Sequence, residues 1–192
     1  MVNKMRGSMK HLLPVLALTT LAVSSARAAD QGLSYQYVSF GYETLTNTKL
    51  AGHSSGYSLT AVTKIGDSNF LLGAYTTIGK SSNTSPLPSY GNGNDGVYFG
   101  YVFTDVAGLA DLALNIGSNE KYSLRARKNL GNGFEAMLGY SRWTGANRYE
   151  AGIGYSFSQN LSLDYTYSRL GTTVPTTGSY FVLNTIALRY NF

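Results

Sequence analysis

The 192-residue chain has no cysteine, one tryptophan, two histidines, four prolines and only 13% charged residues. Each scarcity excludes something. Without cysteine there is no disulfide to staple the fold, no thiolate metal ligand and no cysteine nucleophile. His11 and His53 are too few for a transition-metal site. No apolar run approaches the roughly 20 residues that a helix needs to cross a bilayer core, so any membrane span must be made of strands. The +5 formal charge is also misleading. Lys4, Arg6, Lys10 and Arg27 account for four of the 15 basic residues, and without them the charge falls to +1. A chain so near neutrality lacks the positive footprint of a nucleic-acid binder.

Those four cations belong to a leader. Lys4, Arg6 and Lys10 precede a mostly apolar, uncharged run from Leu12 to Val23, and Ala26-Arg27-Ala28 supplies a small-x-small cleavage pattern. Residues 1–28 are therefore expected to be a secretory signal peptide, and 29–192 a single domain. The run is too short to serve as a helical anchor.

What the rest of the chain has is glycine and tyrosine, 22 and 16 residues, among abundant Ser, Thr and Asn. That mixture favours strands and turns over helices. Ten segments alternate with a period of two, each about as long as a tilted membrane-crossing strand. Tyr57, Leu59 and Ala61 share one face of the second; Val97, Phe99, Tyr101 and Phe103 of the fourth; Tyr149, Ala151, Ile153, Tyr155 and Phe157 of the eighth. The first, Leu33 to Thr44, changes phase between Tyr37 and Val38, which suggests a bulge. Short connections at 65–69, 104–109, 129–133 and 158–160 alternate with longer ones at 45–55, 81–95 and 170–179, although two on the latter side, at 117–120 and 144–147, are also short. The expected fold is all-β: a closed up-and-down antiparallel transmembrane barrel of about ten strands, with eight as the alternative if the first or a short pair stays out of the membrane. Phe70, Phe103, Phe134, Phe157 and Phe192 fall beside the short turns, and Tyr57, Tyr140, Tyr149, Tyr167 and Tyr180 toward the long loops, as two interfacial girdles would require. A soluble sandwich core predicts no such sorting.

The last strand runs to the end of the chain, with Ile186, Leu188, Tyr190 and Phe192 on its apolar face. This pattern resembles the C-terminal recognition strand of small bacterial outer-membrane β-barrels, the OmpA-transmembrane-domain, OmpX and porin-like proteins. The resemblance implies an outer-membrane location, monomeric assembly, and recognition of those four residues by the barrel assembly machinery. It covers the mature chain as a pattern and adds no family-specific motif.

With apolar positions outward, the opposite phase sends Lys64, Asp111, Lys121, Arg125, Arg127, Glu135, Arg148, Glu150, Asp164 and Arg189 toward the lumen or its rims, and the charge network is expected among Arg125, Arg127, Glu135, Arg148, Glu150, Asp164 and Arg189. Unpaired, each buried charge would cost several kcal/mol, so a network of Arg with Asp or Glu is expected, with Arg125 and Glu135 as one pair on neighbouring strands. The bland function is a polar plug in a structural or surface-interacting barrel; a gated narrow channel for small solutes is the alternative. Inward glycines such as Gly73 and Gly139 serve either as open volume or as seats for Tyr75 and Tyr98. Near the outer ends, Lys80, Arg142 and Arg169 are placed to meet lipopolysaccharide phosphates, and Arg142 lies in the lipid-facing phase. Catalysis is disfavoured. His53 beside Ser54 and Ser55, with Glu43 nearby, lacks the alternation that would converge a nucleophile, base and orienting acid at an outer-rim hydrolase site. No cofactor is expected.

Overall fold

The computed structural model describes residues 33–47, 53–80, 95–118, 120–143, 146–172 and 180–192. The proposed signal peptide lies outside them. Ten strands follow one another: β1 (Tyr37–Asn47), β2 (His53–Lys64), β3 (Phe70–Lys80), β4 (Gly96–Val106), β5 (Ala110–Gly117), β6 (Glu120–Gly131), β7 (Phe134–Trp143), β8 (Ala146–Ser156), β9 (Leu161–Thr172) and β10 (Tyr180–Asn191). Each pairs antiparallel with its sequence neighbours, and β10 returns to pair with β1 from Asn191↔Tyr37 to Phe181↔Asn47. The sheet is a closed ten-stranded barrel. Closure gives every strand two partners, which is how a chain without disulfides satisfies its backbone in an apolar medium. Eight strands are thereby excluded.

The first strand differs from its sequence reading. It begins at Tyr37, not Leu33, and its register with β2 and β10 is continuous, with no bulge. Phe40 and Tyr42 face outward, whereas Leu33 to Gln36 precede the strand and carry Tyr35 inside, against Val62, Leu71, Tyr98, Val102 and Ala113. An extended segment alternates whether it lies in the wall or in the lumen. The phase change marks where one becomes the other. Register shifts do occur elsewhere, between Phe103 and Val106 and at both ends of β6.

Side chains divide by face as a period of two demands. Phe40, Tyr57, Phe99, Leu114, Leu138, Ile153, Leu163 and Ile186 are all exposed on the outer surface. Fully burying one such side chain is worth about 1.5–3 kcal/mol, so a belt of them facing water would be strongly unfavourable. No helix among the described residues is long and apolar enough to cross a membrane; the strands do so instead.

The connections at 65–69, 107–109, 132–133 and 157–160 fall at one end of the barrel, with Gly66 and Gly133 in the left-handed region where their turns need it, and those at 118–119 and 144–145 join the longer connections at the other. Phe70, Phe103, Phe134 and Phe157 ring this end on the outside. Phe192 departs from the ring: it is 8% exposed, its N–H bonds the Gln36 carbonyl at 3.0 Å, and its ring meets Tyr190 edge-on. It stands one residue past the last strand position, where its backbone closes onto the segment entering β1. At the other end Tyr57, Tyr149 and Tyr167 are exposed, and Tyr122, Tyr140 and Tyr149 stack in sequence across β6, β7 and β8.

Candidate functional site in the barrel lumen

The interior has two unlike walls. From β1 to β5 it is apolar and aromatic at the short-turn end, with Tyr98 lying so close over Gly73 that a Cβ there would sit 2.0 Å from its ring, and above that it is hydroxylated, with Ser39, Ser58, Thr60 and one buried carboxylate, Glu43. The inward glycine at 73 is thus a seat for an aromatic ring. From β6 to β10 the wall carries the seven charged residues expected to form the lumen network, and they form two tiers; of the other three, Lys64 lies on β2 and Asp111 on β5, and the Lys121 side chain is outside the described set.

The lower tier, toward the short turns, centres on Glu135 of β7. Arg127 of β6 grips it with Nε and Nη2 at 2.6 and 2.9 Å, and Arg189 of β10 donates Nη2 at 2.9 Å. The Nε of Arg189 lies 3.3 Å from Asp164 of β9. Two parallel N–H donors on one carboxylate make the Arg127 pair geometrically specific. Arg127 also donates Nη1 to the Ser34 carbonyl at 2.8 Å and stacks over Tyr35, 4.7 Å from the ring centroid. The segment before β1 is therefore held in the lumen by the charge network itself.

The upper tier centres on Glu150 of β8, with Arg125 Nε at 3.0 Å on one oxygen and Arg148 Nε at 2.6 Å on the other. Arg125 reaches Ser123, and Arg148 reaches Ser168, through their remaining donors. The sequence suggested Arg125 with Glu135 on the adjacent strand. The structure instead joins Arg125 to Glu150, two strands away, because the residue between them is Gly139. A Cβ there would lie 2.9 Å from Glu150 Oε2 and 3.2 Å from Arg125 Cγ. Its absence lets β6 and β8 side chains meet over β7.

Between the walls runs a cavity of about 410 Å³, bordered by Tyr37, Ser39, Glu43, Thr60 and Tyr75 on one side and by both charge tiers on the other. It extends from Arg189 and Asp164 up to Ala146 and Leu170, near the long-loop end. The cluster around Tyr35, Val62, Leu71 and Val102 closes the short-turn end beneath it. Ser34 and Tyr35, the floor of the cavity, are what sequence reasoning missed; the phase change in the first segment was the available signal. Glu43, read as a neighbour of His53, is buried in the lumen wall instead. His53 opens β2, and its side chain lies outside the described set. Among the described residues no group of three or more His, Asp or Glu could hold a metal.

On the outer surface, Arg142 donates to Asn147 Oδ1, and the Arg169 guanidinium lies 4.0 Å from the Tyr180 ring centroid. Both stand beside the tyrosine ladder of β6–β8. The Lys80 side chain is outside the described set. Of the terminal residues, Ile186, Leu188 and Tyr190 are exposed outward.

An apolar outer belt, a charged and hydroxylated interior and a sheet without edges define a transmembrane β-barrel of the porin-like kind. No protein-family model matches the chain, and no curated protein sequence does. Among solved structures it is similar to the KdgM porin, at 16% identity over 80% of this chain and 99% of that one, with a TM-score of 0.39. The translocator domain of autotransporter NalP from Neisseria meningitidis matches at 12% identity, covering 97% and 98%, with a TM-score of 0.43. A phycobiliprotein lyase, CPES from Guillardia theta, matches at 8%, covering 81% and 86%, with a TM-score of 0.47. Likeness at this level assigns neither a family nor a ligand.

Proposed function

We propose that this is a bacterial outer-membrane protein, exported by its signal peptide, whose barrel is closed on the periplasmic side and serves a structural or surface-interacting role. The observation that carries the reading is the lower tier: Arg127 holds Glu135, the Ser34 carbonyl and the Tyr35 ring together, and Tyr35 seals the apolar floor. The end with the turns at 65–69, 107–109, 132–133 and 157–160 then faces the periplasm, and the end that carries the longest connections, between β3 and β4 and between β9 and β10, faces outward, the usual asymmetry of bacterial barrels. The terminal strand would be read by the assembly machinery from that same side. In this orientation Arg142, Arg169 and Lys80 lie at the level of lipopolysaccharide phosphates, where tyrosine rings and guanidinium groups are both favoured.

The roomy cavity beside the charged wall favours a second reading, a narrow channel for small solutes whose floor opens when the Ser34–Tyr35 segment withdraws. Conductance across a planar bilayer decides between them. The closed barrel predicts a silent bilayer, and discrete, reproducible openings of the unaltered protein would overturn it.

A further inference from the structure

The most open members of the two charge tiers carry opposite signs, and they border the same cavity. In the upper tier the Arg125 and Arg148 side chains are 23% and 17% exposed, while Glu150, which they share, is sunk behind them at 3%. The cavity therefore meets guanidinium edges there. In the lower tier the order reverses: Arg189 is at 8% and Asp164 at 24%, so the cavity meets a carboxylate. Arg127 and Glu135 are both spent on each other and on the floor.

The layer between the tiers carries a single carboxylate, Glu43 of β1, which is paired with Thr185 and buried at 7%. Strand pairing places Met137, Gly152, Thr166 and Thr185 side by side across it, with Thr60 on the opposite wall. Asp164 is paired with Gly154, four residues along β8 from Glu150, which is about 13 Å of strand. The Asp164 carboxylate lies over Gly154 and the Arg125 side chain against Gly139, so a hydrogen bond of about 2.9 Å at each end leaves about 7 Å to be bridged. A chain of three residues spans at most about 10 Å. A cavity of about 410 Å³ is in the range that encloses small ligands.

We infer that the lumen is a binding site for a zwitterionic solute of short-peptide size, entering from the long-loop end. Its carboxylate meets Arg125 and Arg148, its ammonium group meets Asp164, and its amides meet the hydroxyl groups of the middle layer. Charge-assisted contacts at both ends give the site a direction as well as an affinity. The site uses the barrel and its cavity but does not depend on the surface role, and it survives if the floor opens.

The test is calorimetric titration of the purified full barrel in detergent micelles with triglycine, N-acetyl-triglycine and triglycinamide. Triglycine is expected to bind at least tenfold tighter than either blocked form. Asp164→Asn should erase the advantage of triglycine over N-acetyl-triglycine. Arg125→Gln should weaken triglycine about tenfold and leave triglycinamide nearly unchanged. Both variants keep one partner for every remaining buried charge, and heat-modifiable gel migration verifies that each still folds. If Arg125→Gln does not fold, the blocked peptides and Asp164→Asn carry the test alone. Absence of triglycine binding, equal binding of all three peptides, or an undiminished preference in Asp164→Asn would overturn the inference. Conductance of the unaltered protein alongside triglycine binding would overturn only the closed-floor reading.

Discussion

Arg127→Met removes the cation that ties the lower tier to the floor, and the consequence can be worked through from its contacts. The Arg127 and Glu135 side chains are 8% and 13% exposed, so solvent screens their interaction little. The substitution deletes two N–H donors to Glu135 and one to the Ser34 carbonyl. Glu135 retains only Arg189, which is itself shared with Asp164. Removing one member of a buried pair costs about 3–5 kcal/mol, whereas replacing both by apolar side chains of similar volume is often close to neutral. Arg127→Met and Glu135→Met are therefore each expected to lower stability by about 3–5 kcal/mol, roughly two to nearly four powers of ten in the unfolding equilibrium. The double variant should lose much less than the sum, since Arg189 and Asp164 then pair alone. The measurement is reversible urea unfolding in lipid vesicles, followed by the shift between folded and unfolded gel mobility, for all four proteins of the cycle. Additive losses would refute the argument, because they would mean that the two side chains do not depend on each other. Planar-bilayer recording of Arg127→Met gives an independent readout: with the Ser34–Tyr35 segment released, openings should appear that the parent protein lacks.

Three further outcomes are expected. Phe192→Ser should be exported normally yet inserted poorly, since it removes both the terminal aromatic and its packing on Tyr190; cell fractionation and heat-modifiable migration report this, and normal assembly would sink the assembly role of the terminal strand. Gly73→Ala should cost about 1–3 kcal/mol by overpacking against Tyr98, and Tyr98→Leu in the same chain should recover most of it in urea unfolding. Arg142→Gln with Arg169→Gln should lower the thermal stability of the barrel in lipopolysaccharide-containing bilayers more than in phosphatidylcholine; an equal change in both would remove the lipopolysaccharide contact.

The wall of the barrel was legible in the chain because the solvent on each face imposes its polarity on every second residue. Phe99, Leu114, Ile153 and Ile186 declare the outside, and Arg125, Glu150 and Arg189 declare the inside, without any knowledge of register. Strand number followed from the breaks between such runs. The first segment was misread because Leu33 and Tyr35 also alternate, yet they do so as a floor packed on Val62 and Leu71. Periodicity reports an extended backbone and says nothing of which element it belongs to. The partners within the lumen were likewise invisible, since they depend on who lies opposite whom. Adjacency in sequence order suggested Arg125 with Glu135, and it took a glycine on the intervening strand to hand Arg125 to Glu150. Phe192 shows the same limit: its phase is outward and its ring meets the exposed Tyr190, yet it is buried, because its backbone is bonded to Gln36 ahead of β1.

The lumen ion pairs described above among Arg125, Arg127, Glu135, Arg148, Glu150, Asp164 and Arg189 join residues of β6 to β10. Four arginines share three carboxylates there, Arg125, Arg127, Arg148 and Arg189 against Glu135, Glu150 and Asp164, so a sheet of β6 to β10 alone would hold one positive charge in excess, which the buried Glu43 of β1 offsets. That sheet would also lack the lid that Ser34 and Tyr35 provide, which arrives only when β1 meets β10. Closing β1 onto β10 therefore does two things at once: it brings the missing negative charge to the interior, and it sets the seal that makes the vessel tight.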